Sequence, residues 1–344
     1  MFKGVQVDTM RKMNYLSPTS ISLFYTDPRE FYLQYLCEER PERPPQTLPM
    51  ACGSAFDAYV KSYIHEKILG SDPKFELRTL FEAQVETQHR DYTWILGKYL
   101  FMMYQKSGAL SDLMLDLGQS IGSPRFEIEI KGVVKGSRES VVNIVQDLIL
   151  LGKPDVFYIN KYGLHVILDW KVNGAMGKYN VSPMRGYVRI RDPLGKGSGQ
   201  HHKECVMINH SGVVINGKEY LEQLEPSWAS QLSIYAWLLG VEVGADFIAS
   251  IDQIACDGSC RFSWEGIDVP DIRIAEHREQ VSSDFQHMVL EKARHVWEVV
   301  HSDYIFRDMT LEDSKEYCQR LDMLMARKPQ NENDQLLKDW SRGR

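Results

Sequence analysis

The sequence predicts an α/β (α+β) fold in which a central mixed β-sheet is flanked by helices. Helical periodicity dominates the first 120 residues, period-two alternation dominates residues 125–171, and a helix, a strand and another helix follow between residues 225 and 300. Apolar residues at steps of three and four predict amphipathic helices, and strict alternation predicts half-buried strands. Segments in this order are typical of one mixed sheet covered by helices.

The N-terminal helical region, residues 1–120, begins with LSPTSISLFYTDPREFYLQYL. Ser17 or Thr19 can cap a first short helix over residues 21–25, and Pro28 suits the first turn of a second one. We expect this region to pack on the core. Further helices are predicted over residues 53–69, 77–106 and 110–117.

Alternation in RFEIEIKGVV predicts a strand over residues 125–134. A second strand is predicted over residues 148–159 and a third over residues 164–171. NKYG makes the turn between the last two, because Gly163 can take a positive φ. The three strands are expected to form an antiparallel meander.

After this meander, residues 172–226 are rich in glycine and in lysine and arginine, which predicts an irregular insertion. A strong helix is predicted over residues 225–240, a strand over residues 246–256 and an amphipathic helix over residues 281–300. The polar residues 329–344 are expected to form a C-terminal tail.

Composition limits the classes of function that the chain can have. It has 344 residues, of which 43% are hydrophobic and 25% charged, so it can bury a sizeable core. A formal net charge of −7 argues against a nonspecific polyanion binder driven by overall charge, but not against a local basic groove. The N-terminus lacks an apolar signal core, and no apolar stretch reaches membrane-spanning length. We therefore expect an intracellular, cytoplasmic protein that has no membrane partner.

The run GKPDVFYINKYGLHVILDWK carries acidic residues that burial would penalise. On a strand, Asp169 and Lys171 share one face and Trp170 points to the other. Antiparallel pairing across the turn brings Asp155 opposite residue 168 or 169. Two close carboxylates repel, and Mg²⁺ or Mn²⁺ would convert that repulsion into binding. The alternative is a buried Asp169–Lys171 salt bridge with an unrelated turn aspartate.

These residues resemble the signature of the PD-(D/E)XK nuclease superfamily. The resemblance depends on Pro154-Asp155, a hairpin, and an apolar run before Asp-x-Lys at 169–171. It is greatest to the RecB-like branch, which includes phage and CRISPR-adaptation exonucleases. Three further motifs lie in the expected order, namely LSPTSISLFYTDPREFYLQYL, GSAFDAYV and QLSIYAWLLG. The resemblance implies a restriction-endonuclease-like core over residues 121–328, with residues 172–226 inserted.

The resemblance also implies a metal-dependent DNA nuclease, an exonuclease rather than an endonuclease, acting in recombination, repair or phage DNA processing. Its partners would be DNA and a separate helicase or recombination protein. It implies that Asp155, Asp169 and the carbonyl of Trp170 hold one or two Mg²⁺ or Mn²⁺ ions. Lys171 would be the catalytic lysine, which would orient or help to deprotonate water, or stabilise the transition state.

Several residues are implied to support this site. Gln231 and Tyr235, one helical turn apart, would touch the catalytic lysine or DNA. Either Glu127 or Glu129 would support the site, and the sequence does not choose between them because they share one strand face; the alternative is an ordinary solvated strand face. Asp57 stands at the usual histidine position of the family, where it would be a metal ligand or simply a polar helix residue.

The insertion combines basic residues with interleaved tyrosines, a composition that suits contacts with nucleic-acid backbone and bases. The alternative is a solvated surface loop. The candidate nucleic-acid-binding residues are Lys178, Arg185, Arg189 and Arg191.

The cysteines and histidines allow other hypotheses about function. Six of them could bind zinc, although their spacing matches no standard zinc site, so a zinc-stabilised interaction module remains an alternative. A catalytically silent nucleic-acid-binding scaffold of the same fold is another. An iron–sulfur cluster is not expected, because Cys256, Cys260 and Cys318 are not tightly clustered and Asp27 precedes the N-terminal proline. The zinc candidates are His201, His202, Cys205 and His210, with Cys256 and Cys260.

Overall fold

A computed structural model describes residues 12–37, 45–135, 147–173, 205–207, 213–216 and 220–302. The chain divides into two compact units. The smaller unit comprises the described residues of 1–42, 133–150 and 292–344. The larger unit comprises those of 43–132 and 151–291. The candidate DNA-binding residues Lys178, Arg185, Arg189 and Arg191, and the tail of residues 329–344, lie outside the described residues.

The smaller unit contains the N-terminal helix pair that the sequence predicts. Helix α1 (Pro18–Thr26) is capped by Ser17 rather than Thr19, in a reciprocal capping box with Ser20. Helix α2 (Pro28–Phe31) continues into a π-helical turn at Tyr32–Leu36. The two helices are separate because the chain leaves helical geometry at Asp27 before Pro28.

The helices in the first half of the larger unit are α3 (Leu48–Leu69), α4 (Leu77–Gln84), α5 (Arg90–Ser107) and α6 (Ala109–Gly118). The single helix expected over residues 77–106 is wrong. Val85 and Glu86 are extended, and a 3-10 turn at Thr87–His89 precedes α5. The Arg90 guanidinium donates to the carbonyl oxygens of Glu82 and Val85, which satisfies backbone acceptors at the end of α4.

The strands in chain order are β1 (Arg125–Phe126), β2 (Ile130–Val134), β3 (Leu148–Gly152), β4 (Val156–Ile159), β5 (His165–Asn173), β6 (Cys205–Met207), β7 (Val213–Asn216), β8 (Phe247–Trp264) and β9 (Ile267–Glu279). Seven of these described strands form one sheet in the order β1-β4-β5-β8-β9-β7-β6, and β2 pairs with β3. The β5–β8 and β7–β9 pairs are parallel and the other pairs in the large sheet are antiparallel. The expected mixed sheet with helices is confirmed.

Two of the expected strands are each broken in two. The strand expected over residues 125–134 breaks at Glu127, whose φ of 52° is incompatible with a continuous strand. The strand expected over residues 148–159 breaks at residues 153–155, where Pro154 has no N–H to donate. The meander therefore consists of β1, β4 and β5. Gly163 takes the positive φ, 85°, that the turn requires.

Helices cover both faces of β5. Leu168 and Trp170 pack in a core with side chains of α3, α5 and α6. Ile167 on the opposite face packs with side chains of α8 (Pro226–Leu238), including Leu232. Asp169 and Lys171 share the parity of Ile167, so they lie on the α8 side of the strand. The remaining described helices are α7 (Leu221–Leu224) and α9 (Ser283–Val300).

Among the described residues, no helix combines the length and apolar character that crossing a membrane requires.

Candidate active site

Asp155 and Asp169 meet at the end of the β4–β5 hairpin. Val156 pairs with Leu168, so Asp155 lies opposite Asp169, as the hairpin arithmetic predicts. One oxygen of Asp155, Oδ2, accepts the backbone N–H of Trp170 at 3.2 Å, and the two carboxyl groups are close enough for each to shift the pKa of the other. Lys171 forms an ion pair with Asp169. The sequence therefore identified the central acidic pair and its lysine correctly as neighbours.

Helix α8 supplies the amide and the phenol that the resemblance implied. The ammonium of Lys171 donates to Gln231 Oε1 at 2.9 Å, and Gln231 Nε2 donates to the hydroxyl of Tyr235 at 3.0 Å. Gly152 permits this approach, since a Cβ there would lie 2.6 Å from Leu238 Cδ1 and 2.7 Å from Tyr235 Cδ1. A glycine ahead of Pro-Asp thus lets the helix reach the site.

Helix α3 contributes Asp57 and a lysine that the sequence analysis missed. The Nζ of Lys61 lies 2.8 Å from Asp57 Oδ1 and 2.7 Å from Asp155 Oδ1, and it also contacts Glu127. The Lys61 side chain is only 3% exposed. Its position four residues after Asp57, on the same face of a helix, is the signal in the sequence that could have found it.

Glu127, not Glu129, is the glutamate at the site. Its backbone N–H donates to the carbonyl oxygen of Asp155 at 3.1 Å, and its carboxylate pairs with Lys61 and Lys153. Glu129 is exposed. The positive φ of Glu127 breaks the alternation on which the shared face depended. A non-glycine residue with such a left-handed backbone conformation carries a free-energy cost of order 1–3 kcal/mol, which the surrounding contacts must offset.

Burial and mutual repulsion perturb the carboxyl groups unequally. Burial, with the nearby charge of Asp155, raises the pKa of Asp169 to about 7 despite Lys171. Burial also raises the pKa of Asp57 to about 6, against the attraction of Lys61. Burial acts in the same direction on Asp155, but the charge and hydrogen bond of Lys61 outweigh it and lower the pKa.

Ion pairs hold the buried Lys61 and the half-buried Lys171 in the charged form. Burial lowers the pKa of a lysine, yet Asp169 raises the pKa of Lys171 above its ordinary value, and Asp155 and Asp57 do the same for Lys61. Beside Asp169, Lys171 is therefore a cation and a hydrogen-bond donor.

A cleft of about 350 Å³ lies beside these groups. It is lined by polar side chains from α3, α4, the β1–β2 break and the segment before β4, and by the aromatic residues Phe56 and Trp170. Its lining includes Ser54, Asp57, Gln84, Glu127, Lys153 and Trp170.

The donor chemistry of the site suits a hard dication. Its ligands are carboxylate oxygens, and Mg²⁺ commonly uses only one or two of these together with water and phosphate oxygens. As the side chains stand, no group of three or more His, Cys, Asp or Glu side chains among the described residues is arranged to hold a metal ion. The Asp155–Asp169 pair fits the smaller requirement, and the Lys61 ammonium already shows that the neighbouring oxygens attract a cation.

The opposite face of β5 carries a second buried polar network. The Tyr104 hydroxyl donates to Asp252 Oδ2 and accepts from Trp170 Nε1 at 3.4 Å. Arg278 bridges Asp252 at 2.6 Å and Glu276 at 2.9 Å. Hydrogen bonds and ion pairs of this network join α5 to β5, β8 and β9 next to the Trp170 side chain. It fixes the strand that carries Asp169 and Lys171.

The zinc candidates are not placed by the structure. The candidates His201, His202 and His210 lie outside the described residues, and so does the side-chain environment of Cys205 and Cys260. Cys256 is buried in β8 and belongs to the apolar core of the larger unit.

Comparisons with known proteins give little guidance. No protein-family model matches this chain, and no curated protein matches it. Among solved structures, the crystal structure of SSO0001 is similar over 80% of this chain and 86% of that chain, with 13% sequence identity and a TM-score of 0.25. A TM-score this low carries no argument about fold or function. Any functional conclusion therefore depends on the geometry of the site.

Proposed function

We propose that this protein is a metal-dependent deoxyribonuclease that hydrolyses phosphodiester bonds and has a restriction-endonuclease-like PD-(D/E)XK core. The observation that carries the proposal is the convergence of Asp155, Asp169 and Lys171 from two adjacent strands. An ordinary salt bridge would need one carboxylate beside Lys171. The second carboxylate, Asp155, lies 2.7 Å from the Lys61 ammonium, so the site gathers more charges than one salt bridge requires.

The metal would be Mg²⁺ or Mn²⁺, bound through Asp155 and Asp169, with the carbonyl of Trp170 as a further ligand. When bound, such an ion neutralises charge on phosphate oxygens and lowers the pKa of bound water. Lys171, as an ammonium group, donates to the negative charge that develops on the phosphate oxygens. The ammonium also donates to the side-chain oxygen of Gln231, and the amide of Gln231 is positioned by its hydrogen bond to the Tyr235 hydroxyl.

DNA is the proposed substrate, and exonuclease action is preferred to endonuclease action on the resemblance alone. The basic residues of the insertion would contact the DNA backbone. The setting would be recombination, repair or phage DNA processing, with any helicase supplied by a separate chain.

The test is digestion of plasmid and linear DNA with Mg²⁺ or Mn²⁺. We expect the wild-type protein to degrade linear DNA and to lose activity in EDTA. Lys171→Ala removes the ammonium at the reacting phosphate, so the rate should fall by ~10²–10³-fold. Lys98→Ala removes an exposed lysine paired with Glu265 and should retain the wild-type rate.

Two results would count against the proposal. Cleavage by Lys171→Ala at the wild-type rate would mean that this lysine is not part of an active site. Failure of the folded wild-type protein to cut either DNA with either ion would instead favour a catalytically silent nucleic-acid-binding scaffold.

A further inference from the structure

The cluster around Asp155 contains three lysines, of which Lys61 and Lys171 have different surroundings. In the carboxylate–lysine cluster, which comprises Asp57, Lys61, Glu127, Lys153, Asp155, Asp169 and Lys171, each lysine forms at least one ion pair. Lys171 pairs with Asp169 and donates to an amide. Lys61 instead lies among three carboxylates and is almost fully buried. Such a placement needs a reason, because an ammonium group loses several kcal/mol of hydration on burial.

Asp155 is shared between two sides of the cluster. Its Oδ1 accepts from Lys61 at 2.7 Å, and its Oδ2 accepts from the N–H of Trp170 next to Asp169. Two-metal hydrolases hold their ions about 3.5–4 Å apart, a distance that the two oxygens of one carboxylate can bridge. Asp155 therefore resembles a carboxylate that bridges two cations. Its Oδ1 faces the Lys61 ammonium, and its Oδ2 faces the side where Asp169 lies.

The balance of charges in the cluster also favours one dication beside Lys61 over two. The four carboxylates and three ammonium groups of the cluster leave one formal negative charge. One dication would reverse this to one positive charge, which suits an anionic phosphodiester. A second dication would leave a strongly positive buried site and would have to share the same oxygens with Lys61, at a large electrostatic cost.

We infer that the Lys61 ammonium takes the place of a second dication, so that the site binds one Mg²⁺ or Mn²⁺ per chain. This inference rests on the proposed metal-dependent function. It makes Lys61 a positioning residue that holds Asp57, Glu127 and Asp155 around a fixed positive charge, whether or not metal is present. Removal of the ammonium should leave those oxygens free to bind an ion.

The test measures Mn²⁺ stoichiometry by isothermal titration calorimetry and by electron paramagnetic resonance of free Mn²⁺. We expect one ion per wild-type chain and two per Lys61→Met chain. Lys61→Arg retains a cation and should bind as many ions as the wild type. Lys98→Met, which alters an exposed ion pair with Glu265, serves as the matched control. Thermal unfolding with and without Mn²⁺ gives a second readout, since only Lys61→Met should depend strongly on the ion for its stability.

The difference in stoichiometry between Lys61→Met and wild type tests the inference, while the wild-type value tests the proposed metal site. An extra ion in Lys61→Met supports the placement of Lys61 at a cation position, even where the wild type binds none and both the single-ion stoichiometry and the proposed function fail. Equal stoichiometry overturns the inference, as does a wild type that binds two. A Lys61→Met protein that does not fold even in millimolar Mn²⁺ also counts against it, because the ion should replace the lost charge.

Discussion

Replacement of Gly152 by alanine should displace helix α8 from the active site. The new Cβ would lie 2.6 Å from Leu238 Cδ1 and 2.7 Å from Tyr235 Cδ1, whereas carbon atoms in contact prefer about 3.5–4.0 Å. The strand and the helix must therefore separate by roughly 1 Å, because the Tyr235 ring is buried and its hydroxyl is held by Gln231. Overpacking of this kind costs ~1–3 kcal/mol of the free energy of unfolding.

The same displacement should also slow catalysis. Tyr235 and Gln231 lie on α8 and hold Lys171, so a shift of about 1 Å should reduce the rate of DNA cleavage by ~10²-fold. Urea unfolding and cleavage assays measure the two effects. Gly118→Ala is the control, because nothing lies within 4 Å of its Cβ position. A Gly152→Ala protein with wild-type stability and rate would refute the close-packing argument.

Two further predictions concern buried groups behind and beside the site. Burial and the charge of Arg278 lower the pKa of His277 from 6.5 to about 3, so the native state binds fewer protons than the unfolded state between these values. The free energy of unfolding should therefore fall by ~1.4 kcal/mol per pH unit as the pH drops below 6.5. Urea titrations at several pH values measure this slope, which His277→Gln should flatten. Tyr104→Phe removes the hydroxyl that donates to Asp252 and should cost ~1–3 kcal/mol by the same assay, whereas unchanged stability would show that this hydrogen bond contributes nothing.

Local sequence rules identified the residues of the hairpin. Strand parity placed Asp169 and Lys171 on one face, and the short NKYG turn fixed the register that brings Asp155 opposite Asp169. Helical spacing aligned Gln231 with Tyr235, which the structure joins by a hydrogen bond. These features depend on neighbours in sequence, for which periodicity is informative.

Features set by tertiary contacts could not be derived in this way. Lys61 enters the site because α3 packs against the sheet; its spacing from Asp57 places both on one helix face, but that spacing does not report where the helix docks. Glu127 was indistinguishable from Glu129 because alternation assumes an extended backbone, and the positive φ of Glu127 violates that assumption. The break between α4 and α5 was missed because apolar spacing continues across it, while the Arg90 contacts that end α4 come from a later residue.

The most direct test of the proposed metal site is the anomalous difference density of a crystal soaked in Mn²⁺. We expect an ion roughly 2 Å from one oxygen of Asp155 and one oxygen of Asp169, with the Lys171 ammonium still beside it. A crystal in which these carboxylates share no ion, with manganese bound elsewhere or not at all, would contradict the proposed mechanism.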